Sequence, residues 1–283
     1  ELSWPDSTSW NSNRIGNDLF MYGHQGYDNG QFPNEVDVGR IPWSDPATVE
    51  DICMKMVDFE YSTDMSYKLN YLFTGAYFWS DTDNAVVKTY IINNALDTIT
   101  YGYPVRIYEQ GPCWDSLYWS DYAMSRTITR EVWGDDYGDG PFGYVNLAGH
   151  GSTVGVYFQE RHPTCSPQVY FYGPNDCGYL DDSHPSIVFS NACSTAYPEV
   201  NNLGKRLLEQ GAVSFVGSTR TAYGAGGWDD PSDGNCSTLD WLFSDKAART
   251  DGSRSSVGWS HQQSLRDMYN LYNWDNDWWQ FFE

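Results

Sequence analysis

The sequence predicts an α/β fold in which a mostly parallel sheet is sandwiched between helices. Two observations predict it. From about residue 65 onward, short apolar strand-like runs alternate with helical stretches, and that alternation is how parallel sheets with crossover helices are built. The chain has 283 residues with no internal repeat or low-complexity tract, so it can bury a large core as one big domain or as one domain with a smaller companion.

The elements follow in order. The first 35 residues are rich in Asn, Gly, Asp and Trp, with one short apolar run, "DLFMY" (Asp18–Tyr22). Val36 to Ile41 reads as a strand, Asp45 as a helix cap, and Pro46 as the first helical residue. Val49, Ile52, Cys53, Met56 and Val57 then repeat at helical spacing, which predicts a helix with Cys53 as a core thiol. "LNYLFT" (Leu69–Thr74) reads as a strand, Ala85 to Thr100 as a helix, "VRIY" (Val105–Tyr108) as a strand and Asp121 to Trp133 as a helix. "YVNLA" (Tyr144–Ala148) is a strand followed by a long loop, and "SIVFS" (Ser186–Ser190) is another strand. Leu203 to Gln210 is a helix closed by Gly211, "AVSFV" (Ala212–Val216) is a strand, and Leu239–Ala248 and Ser255–Met268 are helices.

The formal net charge is −22, and no apolar run approaches the length of a membrane span. Such a surface repels nucleic acid and anionic membranes and attracts cationic ligands, although screening limits such steering and solubility or a salty medium is the plainer account. There is no start methionine or signal peptide, so Glu1 reads as the start of a mature or trimmed chain. Six cysteines are too few for a disulfide scaffold, and none forms a C-x-x-C pair. Cys165 and Cys177 lie in a loop-like stretch where an oxidising compartment would allow a bridge.

In a sheet of this kind, functional residues gather beyond the carboxyl ends of the strands. "YVNLAGHGST" places His150 between two glycines just past one strand, and "SIVFSNACST" places Cys193 just past the next. If the strands are neighbours, the two meet at one edge. A thiolate is a strong nucleophile, and an adjacent imidazole can take the thiol proton. Acyl transfer also needs backbone N–H groups aimed at the developing oxyanion. Gly151 has no side chain to obstruct the approach, so its amide and that of Cys193 are the candidates. No G-x-S-x-G elbow occurs, and Ser218 in "VGSTR" lacks the second glycine. His24, His162, His184 and His261 have no partners at ligand spacing.

The blocks "NLAGHGS", "IVFSNACST" and "NNLGKRLLEQGAVSFVGSTR", preceded by "FPNEVDVGRIPWSDPATVEDICMKMVDFE", resemble in order those of the gingipain-type cysteine peptidases, family C25 of clan CD. The resemblance spans about residues 32 to 225. It implies a caspase-like αβα sandwich, with residues 1–64 as a smaller N-terminal subdomain and residues 65–283 as the catalytic one. It also implies a secreted or cell-surface endopeptidase that needs no organic cofactor, with Cys193 as nucleophile, His150 as general base and acid, and Gly151 as oxyanion donor. The family orients its histidine with a carboxylate near the strand matched by "NYLFTGAY". This chain has Tyr77 there, with Asp81 and Asp83 a few residues on, so either one of these acids or a bare Cys-His dyad is expected.

In the family the loop after the "GS" strand helps to build the S1 pocket. Here that loop contains Trp228, Asp229 and Asp230, which implies an acidic pocket walled by Trp228 and cleavage after Arg or Lys. P1 Asn or Asp would instead indicate a legumain-like or caspase-like pocket. The Asp-rich stretches "DTDN", "DDYGDG" and "DDPSDGN" offer a rival use for these carboxylates. The resemblance implies structural calcium, with Asp81, Asp83 and Asp233 as candidate ligands. Protein or peptide substrates follow, and a pro-segment or further domains outside this chain are compatible with the family. "SDKAARTDGSRSS" (Ser244–Ser256) is a candidate exposed loop for self-cleavage. The other class of function is a non-catalytic calcium- or glycan-binding module, suggested by the tryptophans of "YNWDNDWWQFFE", which include Trp274, Trp278 and Trp279.

Overall fold

The computed structural model describes residues 39–79, 82–96, 104–110, 116–158, 169–224, 226–249 and 256–272. Its centre is a six-stranded, wholly parallel sheet. In chain order the strands are β1 (Tyr71–Gly75), β4 (Val105–Tyr108), β5 (Tyr122–Ala123), β6 (Tyr144–Ala148), β10 (Ser186–Asn191) and β11 (Ala212–Gly217). In space they run β11-β10-β6-β1-β4-β5. Every residue of β1, β6 and β10 is buried, as expected of strands covered on both faces.

Alternate residues feed two cores. Leu72, Val145, Leu147 and Val188 meet Val132 and Trp133 of α3 (Arg126–Trp133) and Leu203 and Leu207 of α4 (Leu203–Glu209). Tyr71, Phe73, Tyr144, Ile187 and Phe189 face the other way. They meet α2 (Ala85–Ala95), α5 (Asn235–Ala247) and α6 (Val257–Tyr272) through Val87, Ile91, Leu242, Phe243 and Met268. The result is the expected αβα sandwich.

The N-terminal helix α1 (Pro46–Tyr61) begins as the sequence predicts, with Pro46 at its first position and the Asp45 carboxylate accepting from the Thr48 amide. Its inner face differs from the expectation. Cys53 is exposed, and Ile52 and Lys55 are the buried residues. Lys55 enters because its Nζ donates to Asp182 (2.6 Å) and to the carbonyls of Leu208 (3.0 Å) and Glu209 (3.1 Å) at the end of α4. A cation is favoured at a helix C-terminus, so a lysine there displaces the apolar thiol from the inner face. Residues 39–45 carry no strand, and 36–38 lie outside the described residues.

The helix expected from Asp121 starts at Arg126, because Ser125 caps it and Tyr122–Ala123 pairs with β4. The long loop after β6 contains an antiparallel sheet of β7 (His150–Ser152), β8 (Gly155–Phe158) and β9 (Val169–Tyr172). A small antiparallel pair, β2 (Tyr77–Trp79) and β3 (Thr82–Asp83), follows β1. Cys177 is a free, buried thiol, which burial pushes up to about 12, rather than half of a bridge. The proposed cleavage loop begins inside α5, where Ser244 is buried, and residues 250–255 lie outside the described residues.

Candidate active site

β6 and β10 are hydrogen-bonded neighbours, in register from Tyr144↔Ile187 to Ala148↔Asn191. His150 and Cys193 each follow two residues after that last pair, at the carboxyl edge of the sheet. Beyond the strands the two chains stay together. The Gly149 amide donates to the Asn191 carbonyl at 3.2 Å. Gly151 lies directly against the backbone of Cys193, and a Cβ on it would fall 2.3 Å from the Cys193 carbonyl oxygen and 2.5 Å from its nitrogen. Only glycine permits this approach.

Cys193 is half-buried. Its Sγ lies 3.4 Å from both the amide nitrogen and the carbonyl oxygen of Ala222. The backbone then turns into the left-handed region at Ser194 (φ 55°), which a serine adopts at some cost. That turn directs the Ser194 amide to the Arg220 carbonyl (2.7 Å), and the Ala196 amide donates to Ser218 (3.0 Å). The segment after β11 is thereby laced to the cysteine turn.

The imidazole of His150 is held by β2. Its Nε2 lies 2.6 Å from the backbone carbonyl of Phe78, and its ring meets those of Phe78 (5.7 Å) and Trp79 (6.4 Å) edge to face. A carbonyl oxygen only accepts, so Nε2 is the protonated nitrogen and the lone pair of the neutral ring resides on Nδ1. Two described carboxylates near β2, Asp83 and Glu109, accept from other groups. Asp83 receives the Ala85 amide (2.9 Å) and the Ser116 hydroxyl (2.6 Å), and burial raises its pKa. Glu109, which no sequence pattern singled out, is buried and accepts the Tyr77 amide at 2.8 Å, fixing the strand that carries Phe78.

The loop beyond β11 differs from the pocket expected. Trp228 is a core residue, 1% exposed, with Nε1 donating to the Thr238 hydroxyl (3.0 Å) and its ring packed on Tyr90. It is therefore not part of a pocket surface. Asp229 and Asp230 are exposed. Asp230 caps the 3-10 turn Pro231–Asp233, and the Ser232 hydroxyl and amide hold its carboxyl below the usual range. Asp233 accepts the amides of Asp229 (2.7 Å) and Asp230 (3.1 Å). Among the described residues, no group of three His, Cys, Asp or Glu side chains is arranged to hold a metal. Asp81 and residues 273–283, with their tryptophans, lie outside the described residues. Of the three expected calcium ligands, Asp83 and Asp233 accept hydrogen bonds from local donors, and Asp81 is among the residues not described.

The model of Peptidase family C25 matches residues 16–282. The chain belongs to peptidase family C25. No curated protein registers as a match to it. As a C25 member it is a cysteine peptidase acting on protein or peptide substrates, and its sheet-and-helix sandwich agrees with a caspase-like architecture. In this C25 chain, no helix among the described residues is long and apolar enough to cross a membrane.

Proposed function

We propose that this cysteine peptidase is a secreted endopeptidase that cleaves after Arg or Lys, with Cys193 as nucleophile and His150 as its general base and acid. The decisive observation is the contact of the Gly151 backbone with that of Cys193, which joins the histidine turn to the cysteine turn at the sheet edge. The Cys193 thiol gives its proton to His150 Nδ1, and its sulfur forms a bond to the scissile carbonyl carbon. The electron pair of the C=O bond moves to oxygen, where the amides of Gly151 and Cys193 donate to the oxyanion. The Phe78 carbonyl holds Nε2–H and stabilises the imidazolium, a role that a carboxylate fills elsewhere.

As the tetrahedral adduct collapses, His150 passes its proton to the leaving nitrogen and the C–N bond breaks, leaving a thioester on Cys193. His150 then takes a proton from water, whose oxygen attacks the thioester carbon. Breakdown expels the thiolate, which recovers a proton, and releases the carboxylic acid. The preference for Arg or Lys is supported by the exposed carboxylates of Asp229 and Asp230, on the loop that continues from the segment bonded to Cys193, and by the net charge of −22. A panel of fluorogenic peptides with P1 Arg, Lys, Asn, Asp or Leu tests it. Cleavage after Arg and Lys supports the reading, and preference for Asn or Asp replaces the acidic pocket with another. Placement outside the cell is tested by detecting the protein in the culture medium.

A further inference from the structure

Beneath the candidate site, on the face covered by α2 and α5, lies a set of buried polar groups that the proposed chemistry does not use. Lys88 on α2 and Asp240 on α5 form an ion pair with both side chains fully out of water. Lys88 Nζ also donates to Asn146 Oδ1 (2.5 Å), and Asn146 Nδ2 donates to Asp240 Oδ1 (2.6 Å). Asn191 Nδ2 donates to the other Asp240 oxygen (3.3 Å). The hydroxyls of Tyr144 and Ser244, 2.7 Å apart, close the set, and Asn146 also reaches Ser244 at 3.1 Å.

Stability alone does not account for such a cluster. Removing two ions from water costs about as much as their attraction returns, so apolar residues of equal volume would serve the fold as well or better. The surrounding core is built of such residues, among them Phe73, Ile91, Phe189 and Phe243. What the cluster adds is direction. Apolar contacts are non-directional, whereas these bonds fix particular atoms of two adjacent strands. Asn146 lies on β6, which leads to His150, and Asn191 ends β10, two residues before Cys193. The Asn191 carbonyl also receives the Gly149 amide. A single carboxylate therefore ties the middle of β6 to the end of β10, the two strands that lead to the candidate pair. Cys236, on the same helix as Asp240, is buried, and burial raises its thiol pKa.

We propose that Asp240, held by Lys88, is a positioning residue that acts through Asn146 and Asn191 to fix the separation and orientation of the His150 and Cys193 turns. This role presupposes that His150 and Cys193 are the catalytic pair. The main test variant is Lys88→Met/Asp240→Leu, which replaces the ion pair with apolar side chains of similar volume; it leaves Asn146 and Asn191 without these partners and is expected to melt below the wild type while still folding. Two rates are measured: hydrolysis of a fluorogenic peptide, separated into kcat and KM, and alkylation of Cys193 by iodoacetamide, read by mass spectrometry.

A misplaced pair lowers both kcat and the alkylation rate by about tenfold or more while leaving KM within about twofold. A folded double variant with both rates within about twofold of the wild type overturns the proposal. Should the double variant fail to fold, Asn191→Ala removes one strand-end bond and leaves the ion pair in place. It is expected to lower kcat and alkylation together, and unchanged rates in folded protein overturn the proposal. Failure of the catalytic assignment looks different, because a Cys193→Ala protein would then still cleave peptide whatever the network variants do.

Discussion

Gly151 and Cys193 touch backbone to backbone, so closely that any β-carbon at position 151 would collide with the Cys193 peptide unit. Two turns from neighbouring parallel strands are thereby locked into one structure. The same contact brings together the two backbone segments whose amides, those of Gly151 and Cys193, are proposed as oxyanion donors. Gly151→Ala is therefore expected to separate the turns. Activity should fall by about 10²-fold or more, as for loss of an oxyanion donor or a 1 Å misplacement. Steady-state kinetics beside a thermal melt check it, since the loss must persist in folded protein.

The exposed carboxylates of Asp229 and Asp230 give a prediction about specificity. Asp229→Asn and Asp230→Asn are expected to leave cleavage after an uncharged P1 residue unchanged. For the variant that removes the P1 partner, kcat/KM for P1 Arg should fall by about 10- to 100-fold, the worth of one charge-assisted hydrogen bond. Equal rates on Arg peptides in both variants would move the acidic partner elsewhere.

Thiol chemistry should distinguish the cysteines. Cys193 is half-buried and Cys53 exposed, whereas Cys177 and Cys236 are buried and their thiols pushed up by burial. Iodoacetamide on native protein at neutral pH is expected to label Cys193 and Cys53 and to spare Cys177 and Cys236 until the protein is unfolded. Peptide mapping by mass spectrometry reads the pattern.

His261 supplies a pH prediction. Burial lowers its pKa to about 4, below the ordinary ~6.5 of the unfolded chain. As pH falls through 6.5 the unfolded state gains a proton that the native state refuses. Stability is therefore lost between pH 6.5 and about 4, and this group adds no further loss below that. The effect is on the order of 2–3 kcal/mol. Denaturant melts across this range check it, and His261→Gln should flatten the slope.

The Asp233 carboxylate closes a turn by accepting two amides, a capping role. Asp233→Ala is expected to cost about 0.5–2 kcal/mol, equally in calcium and in EGTA. Stabilisation of the wild type alone by calcium would show that Asp233 is a ligand.

The parallel strands were legible because compact apolar runs such as "VRIY" and "YVNLA" match strands that lie between two helical layers. The meeting of the turns that follow β6 and β10 agrees with placing His150 and Cys193 each just past a strand end. The three-stranded sheet after β6 was not legible, since its strands are three or four residues long and two of them contain glycine. Trp228 sits in a Gly- and Asp-rich stretch that reads as exposed, yet its indole N–H finds the Thr238 hydroxyl and the ring is buried. Cys53 lost its inner place to Lys55, whose partners lie more than 120 residues away. The Phe78 carbonyl that holds His150 has no sequence signature, because every residue carries a carbonyl. The Lys88–Asp240 pair joins two helices distant in sequence and likewise leaves no local pattern.

The measurement closest to the central claim is labelling with a peptidyl chloromethyl ketone bearing P1 Lys, followed by peptide mapping. One label per molecule on Cys193 is expected, absent in Cys193→Ala and strongly slowed in His150→Ala. A protein that cleaves peptides while carrying the label elsewhere, or that labels Cys193 just as fast without His150, would contradict the account.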